Sequence, residues 1–430
     1  MTGAVVVAAM LAACSGSTVE SGALTEVSTV VTEAAPSTDE TSPTVIGSTV
    51  ATPAAPTTET PVTTTTPVVP LAGWDAVDHY LDVAVVRGGS QAVSASVSRD
   101  GVALHDVAIG TRVAGTPVTP ADRFRIASIS KTITAITVLR LVEDGVVALD
   151  GPVGGLVAER LGVAPVAGAS DITVRHLLTH RSGFAQYEDL FFRHEVESCR
   201  QAAVVGLTRP LAVPPGTTFR YSNLNFCVLG ILIEEVTGQS YEAVVDAQLL
   251  APLGLEGLRL AGTFDVQPGD VEHRSEAGRN YMEVLGAAGA WVAPTGALVT
   301  ILDSLDLTTP GWKPLRADTV AEMMTITVDP VEPVDPLAEP AAPTTTPPPP
   351  ESGYGMGVMI FGPGSYGHTG TVESTHAMVV HRPDGITWAI AVSGDYPAST
   401  RQLARIVDNA LLLGGFTDGS YRTIPPPLES

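Results

Sequence analysis

Phe124-Arg125-Ile126-Ala127-Ser128-Ile129-Ser130-Lys131 is the stretch from which the rest of the chain can be read. The 430 residues contain 23 Lys+Arg, and only Lys131 and Lys313 of these are lysines. A guanidinium stays protonated in proteins, whereas a desolvated lysine can lose its proton and act as a base. Ile129, Ile133, Ile136 and Leu139 follow the spacing of a helix face, so a helix is expected from this stretch to Leu141. Residues three apart on a helix are neighbours, which puts Ser128 and Lys131 one turn apart on one side. A hydroxyl beside an amine at the positive end of a helix is an activated nucleophile.

Two further stretches follow in chain order. Pro214-Pro215-Gly216-Thr217-Thr218-Phe219-Arg220 carries turn chemistry and leads into Tyr221-Ser222-Asn223. Asn223 then reads as the N-cap of an apolar helix ending at Gly238. Tyr221 adds a phenol that can relay a proton, and Asn223 an amide that can bind a carbonyl. Further on, Gly367-His368-Thr369-Gly370-Thr371 follows a strand-like run from Tyr354 to Phe361 and the turn Gly362-Pro363-Gly364. Ala377 to Val380 and Ile386 to Val392 flank Pro383-Asp384-Gly385, a hairpin signal, so His368 belongs on a strand of an antiparallel sheet.

Ser128 with Lys131 gives the S-x-x-K spacing of serine acyl-transfer enzymes. Together with Tyr221/Asn223 and His368/Thr369/Gly370 it resembles the three active-site motifs of the penicillin-recognising serine hydrolases. The branch is that of class C β-lactamases, D-alanyl-D-alanine carboxypeptidases, D-aminopeptidases and related esterases. Leu177-Leu178-Thr179-His180-Arg181-Ser182-Gly183 and Tyr354-Gly355-Met356-Gly357 are similar as well, and the likeness runs from about Trp74 to Leu413. The resemblance implies an α+β, β-lactamase/transpeptidase-like fold, with an antiparallel sheet flanked by helices and a helical lobe.

It also implies roles. Ser128 attacks a carbonyl, Lys131 and Tyr221 take and return the proton, and the backbone N–H groups of Ser128 and Thr371 form the oxyanion hole. Asn223, His368, Thr369 and Gly370 bind substrate, and no cofactor or metal is needed. The chain departs from the family pattern in two places. Histidine stands at 368 where β-lactamases of this branch usually have lysine. Thr371-Val372-Glu373-Ser374-Thr375 replaces a continuation in which a Gly and a Pro-Gly pair are common, and Glu373 sets a negative charge near where a substrate carboxylate would dock. The expected activity is that of a D-Ala-D-Ala carboxypeptidase or β-lactamase-related enzyme of the cell envelope. A carboxylesterase, or a non-catalytic cell-wall-binding lipoprotein, is the alternative.

Leu11-Ala12-Ala13-Cys14 closes a short apolar run and resembles a bacterial lipobox, so residues 1–13 read as a signal peptide and Cys14 as a lipidation site. Residues 15–70 hold 16 Thr, 7 Ser and 7 Pro with no basic or aromatic residue, the composition of a disordered tether. Domain boundaries follow: 14–70 a lipidated tether, 71–430 the hydrolase. Thr325 to Ser352, with nine prolines, is a disordered insertion within it. The protein is thus expected outside the cytoplasm, anchored to a membrane through lipid, as a monomer acting on a small-molecule or peptide substrate. A net charge of −23 argues against nucleic acid. Cys199 and Cys227 remain once Cys14 is lipidated, either as a disulfide or as two buried thiols.

Overall fold

The structure, a computed structural model, describes residues 71–113, 115–186, 188–327 and 351–424. The expected leader, Cys14, the tether and most of the proline-rich insertion lie outside these residues.

Eleven strands occur among the described residues: β1 (Ala92–Arg99), β2 (Val102–Val113), β3 (Thr116–Pro117), β4 (Phe124–Arg125), β5 (Arg259–Leu260), β6 (Trp291–Ala293), β7 (Gly353–Tyr354), β8 (Met359–Gly362), β9 (Ser365–Val372), β10 (Thr375–His381) and β11 (Ile386–Ser393). Eight form one antiparallel sheet in the order β3-β2-β1-β11-β10-β9-β8-β7, so the first three strands join the last five with the helical lobe inserted between them in sequence. The remaining three make a small sheet, β4-β6-β5.

Both faces of the large sheet are covered, because side chains alternate between two apolar layers. Trp388, Ile390 and Val392 of β11 pack with Val77, Leu81, Leu403 and Val407 from the helices Gly73–Leu81 and Thr400–Leu413. Ala389 and Ala391 face the opposite layer, which holds Ile126, Ile133, Leu178, Phe226 and Leu229 of the helical lobe. The expected fold is the one found.

Three local expectations are corrected. Ser128 is not within an α-helix: it sits in a 3₁₀ turn, Ala127–Ile129, that feeds the helix Ser130–Glu143. The first helical N–H groups lack partners inside the helix, and a tighter turn is a common way to finish such an end. Asn223 is not the N-cap: Ser222 holds that place and Asn223 is the first residue of the helix Asn223–Thr237, which frees its amide for the site. The run from Tyr354 to Phe361 is two strands, because Gly357 at φ 74 breaks the extended backbone, while its N–H bonds Leu178 O. The hairpin around Pro383-Asp384-Gly385 and the stop at Gly238, φ 67, are as expected.

Cys199 and Cys227 are disulfide-bonded, with Cα atoms 5.2 Å apart. The bridge fastens the helix Asn223–Thr237, one turn after Asn223, to the helix Cys199–Thr208.

Candidate active site

The three sequence stretches converge. Ser128 is half-buried at the start of its turn, just after Ala127, whose φ of 45 lies in the left-handed region that non-glycine residues seldom occupy. Strand β9 runs hard against this turn: a Cβ on Gly370 would lie 2.2 Å from Ile126 O and 3.2 Å from the Ala127 Cβ. Only glycine permits that approach, and it brings the exposed Thr371 alongside Ser128.

Lys131 is 0% exposed. Its Nζ lies 2.9 Å from Ser128 Oγ, 2.8 Å from Asn223 Oδ1 and 2.8 Å from Ala288 O. All three partners are neutral, and burial drives its pKa well below the ordinary 10.5. A carbonyl or amide oxygen can only accept, so Asn223 and Ala288 each take an N–H. When the amine is neutral, its lone pair therefore faces the Ser128 hydroxyl.

The Tyr221 hydroxyl is also hydrogen-bonded to Ser128, and burial raises its pKa above the ordinary 10.0. The phenol stays protonated over the working range, able to donate to Ser128 Oγ. Ser128 is thus flanked by an amine that can accept its proton and a phenol that can supply one. That pairing suits nucleophilic attack and leaving-group protonation.

His368 differs from its expected setting. It is 0% exposed, and burial beside Lys131 lowers its pKa to about 3, so it is neutral. Its Nδ1–H donates to Thr369 O at 2.6 Å, which leaves Nε2 to accept from the Tyr354 hydroxyl at 3.0 Å. It supports the site from behind and presents no charge to a ligand. Thr369 is half-buried beside it, its hydroxyl 3.6 Å from Met359 Sδ.

Glu373 lies in the two-residue turn between β9 and β10. Its carboxylate accepts from Glu276 N–H at 3.2 Å and lies 4.0 Å from Arg279 Nε, with Arg279 also bonded to Glu276 and to Phe192 O. The expected negative charge is therefore tied into the 276–279 loop.

Tyr354, His180 and Ala288 went unassigned in the sequence. The first two lie in quoted stretches that suggested a role. Ala288 contributes only a backbone oxygen, for which a sequence carries no signal. No group of His, Cys, Asp and Glu able to hold a metal occurs among the described residues, and no helix there is long and apolar enough to cross a membrane.

The chain is 36% identical over 198 residues to esterase EstB of Burkholderia gladioli, covering 42% of this chain and 49% of that one. It is 33% identical over 162 residues to penicillin-binding protein 4 of Amycolatopsis lactamdurans, covering 35% and 40%. The chain thus spans half or less of the length of these relatives. Among solved structures, SurE with D-Leu superposes with a TM-score of 0.59 at 27% identity, over 83% of this chain and 78% of that one. The octameric penicillin-binding protein homologue from Pyrococcus abyssi shares the fold, with a TM-score of 0.61 at 22% identity over 79% of this chain and 77% of that one. The model of the family described as Beta-lactamase matches residues 75–412, and the chain belongs to that family of serine hydrolases.

Proposed function

We propose that the chain hydrolyses small esters and amides through an acyl-enzyme on Ser128. The observation that carries this reading is the neutral triple contact of Lys131, with two oxygens that must take its N–H groups and Ser128 left for its lone pair.

In the proposed cycle Ser128 passes its proton to Lys131 Nζ as Oγ bonds the substrate carbonyl carbon. The carbonyl pair moves onto oxygen, facing the N–H groups of Ser128 and Thr371. Collapse expels the leaving group, which takes a proton through Tyr221, refilled from the Lys131 ammonium. Water then attacks the acyl carbon, gives its proton to the same pair, and Ser128 recovers its own on release.

Within the family range, uncharged esters and D-amino-acid amides are favoured over carboxylate-terminated peptides and β-lactams. His368 is buried and neutral, and Arg279 is engaged by Glu276 and Glu373, so neither offers a free cation to a carboxylate. The esterase relative supports the ester half, and a D-aminopeptidase of Gluconobacter oxydans, 29% identical over 158 residues, the amide half. A D-Ala-D-Ala carboxypeptidase is the second reading, favoured by the penicillin-binding protein relative. An envelope location, with lipid at Cys14, belongs to the same proposal, and the Cys199–Cys227 bridge is what an oxidising compartment allows.

The test uses p-nitrophenyl butyrate, D-amino-acid p-nitroanilides, a fluorescent penicillin and a fluorophosphonate label read by mass spectrometry. Ser128→Ala is expected to lose the label and more than about 10³-fold of ester turnover while keeping the wild-type melting temperature. Near-wild-type turnover in the folded variant refutes the assignment. Efficient penicillin turnover by the wild type would overturn the substrate preference.

A further inference from the structure

His180 belongs to the Leu177-to-Gly183 stretch and takes no part in the cycle above. It is 0% exposed and its backbone is held at φ 56. In that conformation its carbonyl oxygen and its ring both reach the loop carrying Tyr221. The carbonyl accepts from Arg220 N–H at 2.8 Å, and Nδ1 accepts from Ser222 N–H at 3.2 Å. The residues on either side of Tyr221 are therefore bonded to one and the same residue. The His180 ring packs on the Tyr221 ring, with centroids 4.3 Å apart, and on Tyr354 at 4.8 Å.

The hydrogen-bond pattern also fixes the tautomer. Nδ1 accepts a second bond, from Asn225 Nδ2 at 2.9 Å, so the ring proton sits on Nε2. Nε2 has no hydrogen-bond partner among the described residues. Burial, with Lys131 and His368 nearby, lowers the His180 pKa well below its ordinary 6.5 and keeps the ring neutral. A core packing residue gains nothing from a buried unpaired N–H, which costs free energy. Imidazole supplies an acceptor at Nδ1 together with a flat face for Tyr221.

We propose that His180 is a positioning residue for the reaction, clamping the backbone on both sides of Tyr221 so that its hydroxyl stays on Ser128. The inference rests on the proposed role of Tyr221 as proton relay. It accounts for a non-glycine residue in left-handed backbone, since that is the conformation in which one residue serves both flanks.

The test is a double-mutant cycle. In His180→Asn the Oδ1 atom replaces Nδ1, and asparagine tolerates left-handed backbone. In His180→Gln the polar atoms move to the far end of the ring position, so the ring's half of the clamp, the acceptor for Ser222 N–H, is lost while the carbonyl bond from Arg220 remains. Each is made alone and with Tyr221→Phe, with kcat and KM for p-nitrophenyl butyrate and melting temperature measured. The Gln variant is expected to lose roughly 10²-fold in kcat with little change in KM, the scale of a misplaced proton-transfer group. The Asn variant should lose less than about tenfold. With Phe at 221, the Gln change should cost less than about threefold, because its effect passes through the phenol.

Equal losses in both backgrounds overturn the inference, as does an Asn variant that is as damaged as Gln at wild-type melting temperature. Full kcat in Tyr221→Phe alone would instead refute the relay, and this inference with it. Where the Gln variant does not fold, Asn225→Asp replaces it in the cycle. Its carboxylate draws a proton onto Nδ1 and so deprives Ser222 of its acceptor while His180 remains.

Discussion

Lys131→Arg keeps a basic side chain and is nevertheless expected to be inactive. The lysine is fully buried and touches three neutral groups at 2.8 to 2.9 Å. Arginine carries only donors and does not deprotonate, so no lone pair can face Ser128. Loss of a positioned general base costs about 10²–10⁴ in rate, or roughly 2.7–5.5 kcal/mol of barrier. Lys131→Met makes the comparison clean, since it removes the amine without introducing a fixed charge. It leaves two carbonyl oxygens without a donor, at about 1–3 kcal/mol each. Both variants should fall to the same low kcat. The wild type should also gain more stability with rising pH than either variant. The folded pKa of Lys131 is depressed below 10.5, so between the two values the unfolded chain binds one more proton and alkalinity favours the fold. The Met variant should keep only the smaller part of that rise that Lys313, also lowered by burial, supplies. Stopped-flow turnover of p-nitrophenyl butyrate, with urea unfolding between neutral and alkaline pH, reads both effects. Retention of more than about a tenth of kcat by Lys131→Arg, a loss under roughly 1.4 kcal/mol, would make the lysine structural.

Acid should destabilise the protein through its buried imidazoles. His273 and His368 are held at about 3 against an ordinary 6.5, so in that window the unfolded chain takes up protons that the folded one refuses. Stability is then lost as pH falls from about 6.5 at roughly 1.4 kcal/mol per unit for each histidine, and His273→Gln should flatten the slope of urea unfolding free energy against pH. Replacing both Cys199 and Cys227 by alanine opens a bridge of sequence separation 28 and should cost about 3–4 kcal/mol, read as a fall in melting temperature that reductant reproduces in the wild type.

The sequence made the nucleophile and its neighbours legible because they sit where short-range patterns are strong. Ser128, Lys131, Tyr221 and Asn223 are close to helix starts, and a helix start is punctuated by turn and capping residues. The strands β10 and β11 showed through their flanking turn. What stayed hidden depends on contacts distant in sequence. That Asn223 would serve Lys131 required the approach of residues 92 apart, and the Ala288 oxygen is backbone. His368 read as a residue that binds substrate, since nothing local announces that it will be buried with its Nε2 bonded to Tyr354. Glu373 read as a repulsive charge because its partners lie about a hundred residues earlier. The register of β9 against the Ile126 turn turns a common Gly370 into a requirement, and that follows only from the assembled sheet.

The burial of Lys131 and the neutrality of Tyr221, His180 and His368 separate the chemistry of this protein from its ionic exterior. The chain carries a net charge of −23, and such a surface responds strongly to dissolved ions within a Debye length of about 8–10 Å. The groups around Ser128 are buried, where dissolved ions screen far less than at the surface. Salt or further substitutions of the exterior can therefore change how the molecule disperses and what it drifts toward, with little effect on the barrier to bond breaking. A lineage built this way is free to retune its outside for a new habitat without paying in catalysis.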